Sequence, residues 1–331
     1  MSTATAIVFP SPREARLESY ELPAPRPDEI LVRTEYSGVS QGTEIWALTG
    51  QRRELTFPTV PGYQSVGVVE GIGCDASGYQ AGQRVLFASS RLPETYPPTW
   101  MGAHVSYALT PAAGERAPIH VPDGCDPVAA ALAALPAVSL RGIKMLGIRP
   151  GDLVVVTGQG LIGQGSAQLA RSRGATVIAS DISETRLRLS GDVGADHIVN
   201  VREQDLGSAV RSLKPAGADV VIETTGRADQ FAPCIDLLRP LGHLLLQGWY
   251  PDPISFDFHA THLKRPTVAI TCGFDADETA TVLGLMRREE LRFRPLVTDL
   301  TPVTAAPRLY ARMLAGDPDV LGVVFDWSVL R

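Results

Sequence analysis

Lysine is nearly missing from this 331-residue chain: it occurs only at positions 144, 214 and 264, so arginine carries almost all the positive charge. We read that bias as genome composition. With 36 acidic against 30 basic residues the formal charge is −6, and no run of Lys or Arg offers the basic footprint that nucleic acid binding needs. Long apolar runs are missing too. Although 44% of residues are hydrophobic, no segment approaches the roughly 20 apolar residues of a membrane helix. The first residues lack the basic-then-apolar order of a secretory signal. Cysteine is scarce: Cys74, Cys125, Cys234 and Cys272 lie far apart and form no C-x-x-C pair. That pattern predicts reduced, buried or partly buried thiols in place of a disulfide framework. These absences predict a cytoplasmic globular protein that binds neither nucleic acid nor membrane, with room for two domains of ordinary size.

One stretch organises the rest. Residues 153–181 read LVVVTGQGLIGQGSAQLARSRGATVIASD. Leu153 to Thr157 are apolar or β-branched and suit a strand buried on both faces. Gly158, Gly160 and Gly163 follow with G-x-G-x-x-G spacing. In such a turn the first glycine permits a tight bend, the second lets the backbone approach a pyrophosphate, and the third lets the helix pack close on the strand. Leu161 and Ile162 open an amphipathic helix whose free N–H groups point at bound phosphates. A second strand, Thr176 to Ser180, ends at Asp181, a carboxylate placed to accept both ribose hydroxyls of NAD and to repel the extra phosphate of NADP. Gln159, Leu161 and Ile162 complete the expected cofactor loop.

Before this stretch the chain has a different texture. Short β-rich runs (Ala6 to Phe9, Ile30 to Arg33) flank a loop with Pro23, Pro25 and Pro27, an antiparallel start. Another strand enters at 82–86, residues 88–101 read as a polar, Pro-rich surface loop, and 102–109 returns as a strand. From Pro127 the composition turns to alanine-rich helix. After Asp181, helices alternate with strands at 197–201, 218–224, 244–247 and 268–272, the order of a doubly wound parallel sheet. The last part offers helices at 276–288 and 304–315 and a strand at 321–326.

A β-rich start, a central α/β nucleotide unit and a C-terminal return resemble, end to end, the medium-chain dehydrogenase/reductases, the zinc alcohol dehydrogenase superfamily. The resemblance implies a Rossmann domain at 128–274. It also implies a catalytic domain on a GroES-like β-barrel at 1–127 plus 275–331, with the active site in the cleft between them. It places Arg186 near the adenine, and the backbone of Thr225, Gly226, Gly248 and Trp249 beside the nicotinamide. It implies a homodimer or homotetramer joined through the edge strand near Val268 to Cys272.

The zinc chemistry of that superfamily is missing. The G-V-C-x-T-D motif is stretched to Gly38-Val-Ser-Gln-Gly-Thr-Glu44, so Ser40 or Gln41 stands where a Cys ligand would. The G-H-E motif reads Gly62-Tyr63-Gln64, and Leu135 falls at the third ligand position. None of these side chains is the thiolate, imidazole or carboxylate that zinc prefers. Residues 88–101 contain no Cys, so the structural zinc lobe is absent as well. The S-x-G-T-E pattern, Pro61 to Gly67 and Gly248 to Phe256 resemble the bacteriochlorophyllide hydroxyethyl dehydrogenase branch, which oxidises a secondary alcohol with NAD.

Without a metal, a side chain must move the alcohol's proton. The resemblance puts Tyr63 at a lost ligand position, His104 in the substrate pocket and Thr43 at the hydroxyl relay position, with Glu44 beside it. Tyr63 and His104 are the expected pair at the reacting oxygen, and the phenol would need its pKa lowered to act as a base. Ser40, Gln41, Trp46, Gln64 and Trp100 are candidate substrate contacts. The expected activity is oxidation of a secondary alcohol on a sugar, cyclitol, nucleoside or tetrapyrrole side chain. Two readings stay open beside it: a reductase of an activated double bond or quinone, and a non-catalytic NAD-binding protein.

Overall fold

A computed structural model describes residues 3–330 of the chain. It divides into two compact units, one formed by Met1–Ala134, Asp275–Arg288 and Val297–Arg331, the other by Leu135–Phe274 and Glu289–Leu296. The expected boundaries therefore move in two places. Residues 128–134 pack with the first unit because Gly38 leaves room for them: a Cβ at Gly38 would lie 2.0 Å from the Ala131 carbonyl oxygen. Residues 289–296 belong to the second unit, tied there by Gln168, whose Oε1 accepts from the Arg292 N–H at 2.7 Å.

The first unit begins with β1 (Thr3–Val8), β2 (Arg16–Glu21), β3 (Glu29–Gly38), α1 (Gln41–Leu48), β4 (Ser65–Ile72), β5 (Arg84–Phe87), β6 (Tyr107–Pro111), β7 (Ile119–His120) and α2 (Pro127–Ala130). The second carries α3 (Ala134–Leu146), β8 (Leu153–Thr157), α4 (Leu161–Arg171), β9 (Thr176–Asp181), α5 (Glu184–Val193), β10 (His197–Asn200) and α6 (Leu206–Leu213). It continues through β11 (Ala218–Glu223), α7 (Phe231–Leu237), β12 (Leu238–Leu246), α8 (Phe258–Lys264) and β13 (Thr267–Ile270). The chain then returns to the first unit as α9 (Ala276–Arg287), β14 (Val297–Pro302), α10 (Ala306–Leu314) and β15 (Gly322–Asp326).

In the second unit the order β10-β9-β8-β11-β12-β13 is a parallel six-stranded sheet. In order of appearance this is 3-2-1-4-5-6, the doubly wound arrangement whose switch point lies between its first and fourth strands, here β8 and β11. Every position of β8 and of β11 is buried, as central strands covered on both faces require.

In the first unit, the order β14-β15-β3-β4-β5-β7 with β6 on β3 makes a largely antiparallel seven-stranded sheet, beside the β1-β2 hairpin. β14 joins it by pairing parallel to β15, a strand the sequence pattern did not suggest. Helix α10 lays Leu309, Tyr310 and Met313 into a core shared with Phe9, Leu48, Phe325 and Trp327, and so brings the chain's end against its beginning. The segment 88–101 is a loop without helix or strand, partly exposed along most of its length. Tyr96 and Met101 are buried, and Arg91 forks onto Glu29 with two bonds of 2.7 Å, a geometry only a planar guanidinium provides.

Candidate functional site

Each fingerprint glycine has a physical job. Gly158 takes φ +84° at the end of β8, a left-handed turn that costs a side-chain-bearing residue energy. A Cβ on Gly163 would lie 1.9 Å from the Gly158 carbonyl oxygen, so only glycine lets α4 start this close to the strand. Gly160 caps the helix with nothing within 4 Å of where a Cβ would stand, leaving its backbone open to a ligand. Because α4 begins here, the N–H groups of its first turn lack intrahelical partners and favour an anion.

These groups open onto a cleft of about 780 Å³ whose walls include Gly158, Gly160, Asp181, Arg186, Thr224 and Thr225. Asp181 is held rigidly. Its Oδ2 accepts from the Gln159 N–H at 2.6 Å, and its Oδ1 accepts from Ile182 and Ser183 N–H at 2.7 and 2.8 Å. Those bonds leave acceptor capacity on the carboxylate for a ribose hydroxyl. Gln159 serves the cleft through Asp181, which its N–H holds; its side chain is buried, donating to Val156 O and accepting from the Ser190 hydroxyl. Leu161, the first residue of α4, is buried as well.

Across the switch point, β11 ends on Glu223, which is fully buried. Its carboxylate accepts from the Thr225 N–H at 2.7 Å, from the Gly226 N–H at 3.3 Å, and from the hydroxyls of Thr225 and Tyr250. Burial and the carboxylate beside it push the Tyr250 phenol well above the usual range, so it stays a donor. Gly226 and Gly248 bring two loops into backbone contact: a Cβ on Gly226 would lie 2.4 Å from the Trp249 carbonyl oxygen, and one on Gly248 would lie 2.5 Å from the Gly226 nitrogen. The Trp249 side chain is about half exposed. The role of Glu223 was not anticipated, although an acid closing the apolar run ADVVI is the local sign of it.

The first unit holds a second constellation. The Tyr63 hydroxyl donates to Ser40 Oγ at 2.6 Å. Burial pushes its phenol above the ordinary range, against the lowering effect of hydrogen bonds with Ser40 and Thr43. The lowering that a phenolate base would need is therefore not provided here, and Tyr63 is a protonated phenol. Its ring packs against Trp100 with centroids 5.5 Å apart, and the Arg52 guanidinium lies 5.3 Å from the Trp100 ring centre. Trp46, Gln41 and Thr43 are half-buried along the same helix, but the Gln41 amide turns to the Val320 carbonyl.

His104 lies in the same unit. It is fully enclosed, over Gly62, where a Cβ would come within 2.6 Å of its ring. Its Nε2 bonds Glu44 Oε2 at 3.1 Å and its Nδ1 bonds Ser37 Oγ at 2.8 Å. The Trp327 indole can only donate, and it donates to Ser37 Oγ at 2.8 Å. The indole, the serine hydroxyl, the imidazole and the Glu44 carboxylate thus form one buried chain of hydrogen bonds. Both ring nitrogens are bonded within the first unit. Glu44 is the hub: its Oε1 also accepts from the Ser40 N–H at 2.9 Å, and its Oε2 from the Tyr310 hydroxyl. Gln64, between Tyr63 and Ser65, is fully buried with neither amide atom hydrogen-bonded among the described residues.

At the ligand positions of the zinc enzymes stand a hydroxyl bonded to a phenol, an amide bonded to a carbonyl, an unbonded amide and, at Leu135, a hydrocarbon. Among the described residues no three His, Cys, Asp or Glu side chains gather as a metal site. No helix among the described residues is long and apolar enough to cross a membrane.

Comparison with known proteins agrees with this architecture. The alcohol dehydrogenase GroES-like domain family matches residues 26–116, and the zinc-binding dehydrogenase family matches residues 162–288. A 2-desacetyl-2-hydroxyethyl bacteriochlorophyllide A dehydrogenase of Cereibacter sphaeroides is 28% identical over 98% of both chains. A sorbitol dehydrogenase of Halalkalibacterium halodurans is 27% identical over 89% of this chain and 91% of its own. A Sinorhizobium meliloti 1021 structure assigned as a zinc-binding dehydrogenase and bound to NADP superimposes with a TM-score of 0.87 at 24% identity, covering 98% of this chain and 100% of its own. That last likeness speaks for the fold. With its doubly wound nucleotide unit, its GroES-like partner and relatives aligned along nearly its whole length, the chain belongs to the medium-chain dehydrogenase/reductase superfamily and is an oxidoreductase of the alcohol dehydrogenase type.

Proposed function

We propose that the protein is a zinc-independent, NAD-dependent dehydrogenase that interconverts a secondary alcohol and its ketone. The observation that carries this reading is the Tyr63–Ser40 hydroxyl pair, 2.6 Å apart, at the positions where zinc enzymes place a His and a Cys. A phenol bonded to a serine and a threonine is a poor metal site and a good proton relay. The nicotinamide cofactor supplies the hydride acceptor when bound. In alcohol oxidation the substrate's proton passes along the Tyr63, Ser40 and Thr43 hydroxyls and is released to water from half-buried Thr43, and in ketone reduction a proton from water returns along the same path to the nascent alkoxide. The raised pKa of Tyr63 suits the second role, because the phenol is protonated at neutral pH. Glu44, His104 and Tyr310 hold α1, and with it Ser40 and Thr43, in place.

Asp181 supports NAD over NADP. A carboxylate already clamped by three backbone N–H groups cannot swing away from a 2′-phosphate, and the repulsion lies in a partly enclosed cleft. The relatives named for a hydroxyethyl side chain and for sorbitol fit a secondary alcohol substrate. Exposed Val268 and Ile270 on edge strand β13 support assembly into a dimer or tetramer, which sedimentation would read.

The test is calorimetric titration with NAD and NADP together with metal analysis of the same sample. NAD binding at least about tenfold tighter, a difference of roughly 1.4 kcal/mol, without stoichiometric zinc is the expected result. Preference for NADP would favour a double-bond reductase. Stoichiometric zinc would refute the relay.

A further inference from the structure

The carboxylate of Glu223 bonds to both loops that close the β11 and β12 end of the cleft. On one side it takes the N–H groups of Thr225 and Gly226 and the Thr225 hydroxyl. On the other it takes the Tyr250 hydroxyl. Between these two anchors Gly226 and Gly248 pack backbone on backbone with no room for a Cβ. The loop starting at Gly248 is otherwise held at its base, where Gln247 and Gly248 N–H donate to the Glu223 carbonyl at 2.9 and 3.1 Å. Beyond that base Trp249 is half exposed, Phe256 packs its ring on Phe231 with centroids 5.0 Å apart, and Ile254 packs against the core of the unit. Tyr250 packs against that core too, and it adds the hydroxyl that reaches Glu223.

In a 3-2-1-4-5-6 sheet the dinucleotide crosses the switch point, its adenosine half lying over the first two strands and its second half over the fourth and fifth. Here the first half faces Asp181 and the second faces the ends of β11 and β12. We propose that Glu223 and Tyr250 are positioning residues: the Tyr250 tether fixes the 248–250 turn so that its backbone is preformed for the nicotinamide half of the cofactor. Neither side chain is itself a catalytic residue. A preformed loop spares the entropy of ordering it on binding; an untethered one does not. The inference rests on the nucleotide reading of the cleft.

The split between NAD and ADP-ribose separates this role from a structural one. ADP-ribose has the adenosine, pyrophosphate and second ribose but no nicotinamide, so it tests the Gly158–Asp181 side of the cleft. Affinities of both ligands are measured by calorimetry for the intact wild-type protein, for Tyr250→Phe, which keeps the ring packing, and for Glu223→Gln, which keeps the shape. In both variants NAD affinity is expected to fall about tenfold or more, the size of one lost hydrogen bond to a charged acceptor. ADP-ribose affinity is expected to stay within about twofold, inside the ordinary effect of a remote change. Equal losses for both ligands would mean general destabilisation of the unit and would overturn the proposal, as would unchanged NAD affinity. If wild-type protein bound neither ligand, the nucleotide reading would fail first, and the proposal with it.

Discussion

The phenol of Tyr310 donates to Glu44 Oε2 at 2.5 Å, joining α10 to α1 across 266 positions of sequence. The same oxygen receives His104, and the other oxygen receives the Ser40 backbone. A buried carboxylate with every donor in place is tolerable, whereas one that loses a donor carries the full desolvation cost. Tyr310→Phe is therefore expected to destabilise the first unit by about 1.5–3 kcal/mol, and His104→Ala by about 3–5 kcal/mol. Urea unfolding followed by tryptophan fluorescence measures this. Changes below about half a kcal/mol, the range of ordinary surface substitutions, would show that the network is not what holds these elements.

Several buried phenols make the protein sensitive to alkali. Burial pushes Tyr63 and Tyr310 above the ordinary value, and burial with the nearby Glu18 carboxylate pushes Tyr96 up to about 12. Each is neutral in the folded protein at a pH where the unfolded chain ionises, near 10. Stability from these groups is fully present below pH of about 10 and is lost as pH rises through the folded-state values. The urea midpoint should be flat from neutral pH to about 9.5 and then fall, less steeply in Tyr310→Phe than in wild type. An equal slope in both proteins would contradict the assignment of this phenol.

Tyr63→Phe removes the hydroxyl and keeps the ring against Trp100. Loss of a positioned proton donor or acceptor commonly costs about 10²–10⁴ in rate. The expected result is a fall of that order in kcat for a secondary alcohol, with NAD affinity unchanged because the cleft lies in the other unit. Full activity in Tyr63→Phe would remove this residue from the chemistry.

Replacing Asp181 by Ser deletes the charge that faces the 2′ position. Two like charges a few ångströms apart in a partly enclosed site repel by a few kcal/mol. Asp181→Ser should therefore narrow the NAD over NADP preference by about tenfold or more, read as the ratio of the two dissociation constants. A ratio that does not move would assign the selectivity to another residue.

Gln64 gives a prediction of opposite sign. Its amide is buried with neither atom bonded among the described residues, so Gln64→Met, of similar length, should raise stability by about 1–3 kcal/mol. If it also lowers kcat/KM for the physiological substrate, the amide serves recognition at the expense of stability. A drop in the unfolding midpoint would show that the amide is satisfied in solution and would reject this account.

The nucleotide unit was legible because its determinants are local. A turn with φ +84° at Gly158, a helix packed within 1.9 Å of Cβ distance at Gly163, and an acid at the end of the next strand all fall within 29 residues of continuous sequence, 153–181. Backbone sterics fix them whatever the rest of the chain does. The absence of zinc-type donors at Ser40, Gln41, Tyr63, Gln64 and Leu135 was equally readable, since donor chemistry belongs to the residue type itself.

What the tertiary structure decided was which side chains meet. His104 reads as a substrate contact from its motif, and only the folded chain shows it enclosed between Ser37, Glu44, Gly62 and Phe325. Tyr310 and Trp327 carry no local sign of function, yet they complete that network from the far end of the chain. The same holds for Tyr250 on Glu223, for the transfer of 128–134 to the first unit and of 289–296 to the second, and for the raised pKa of Tyr63. Each depends on burial and on partners distant in sequence, and these exist only once the sheets have assembled.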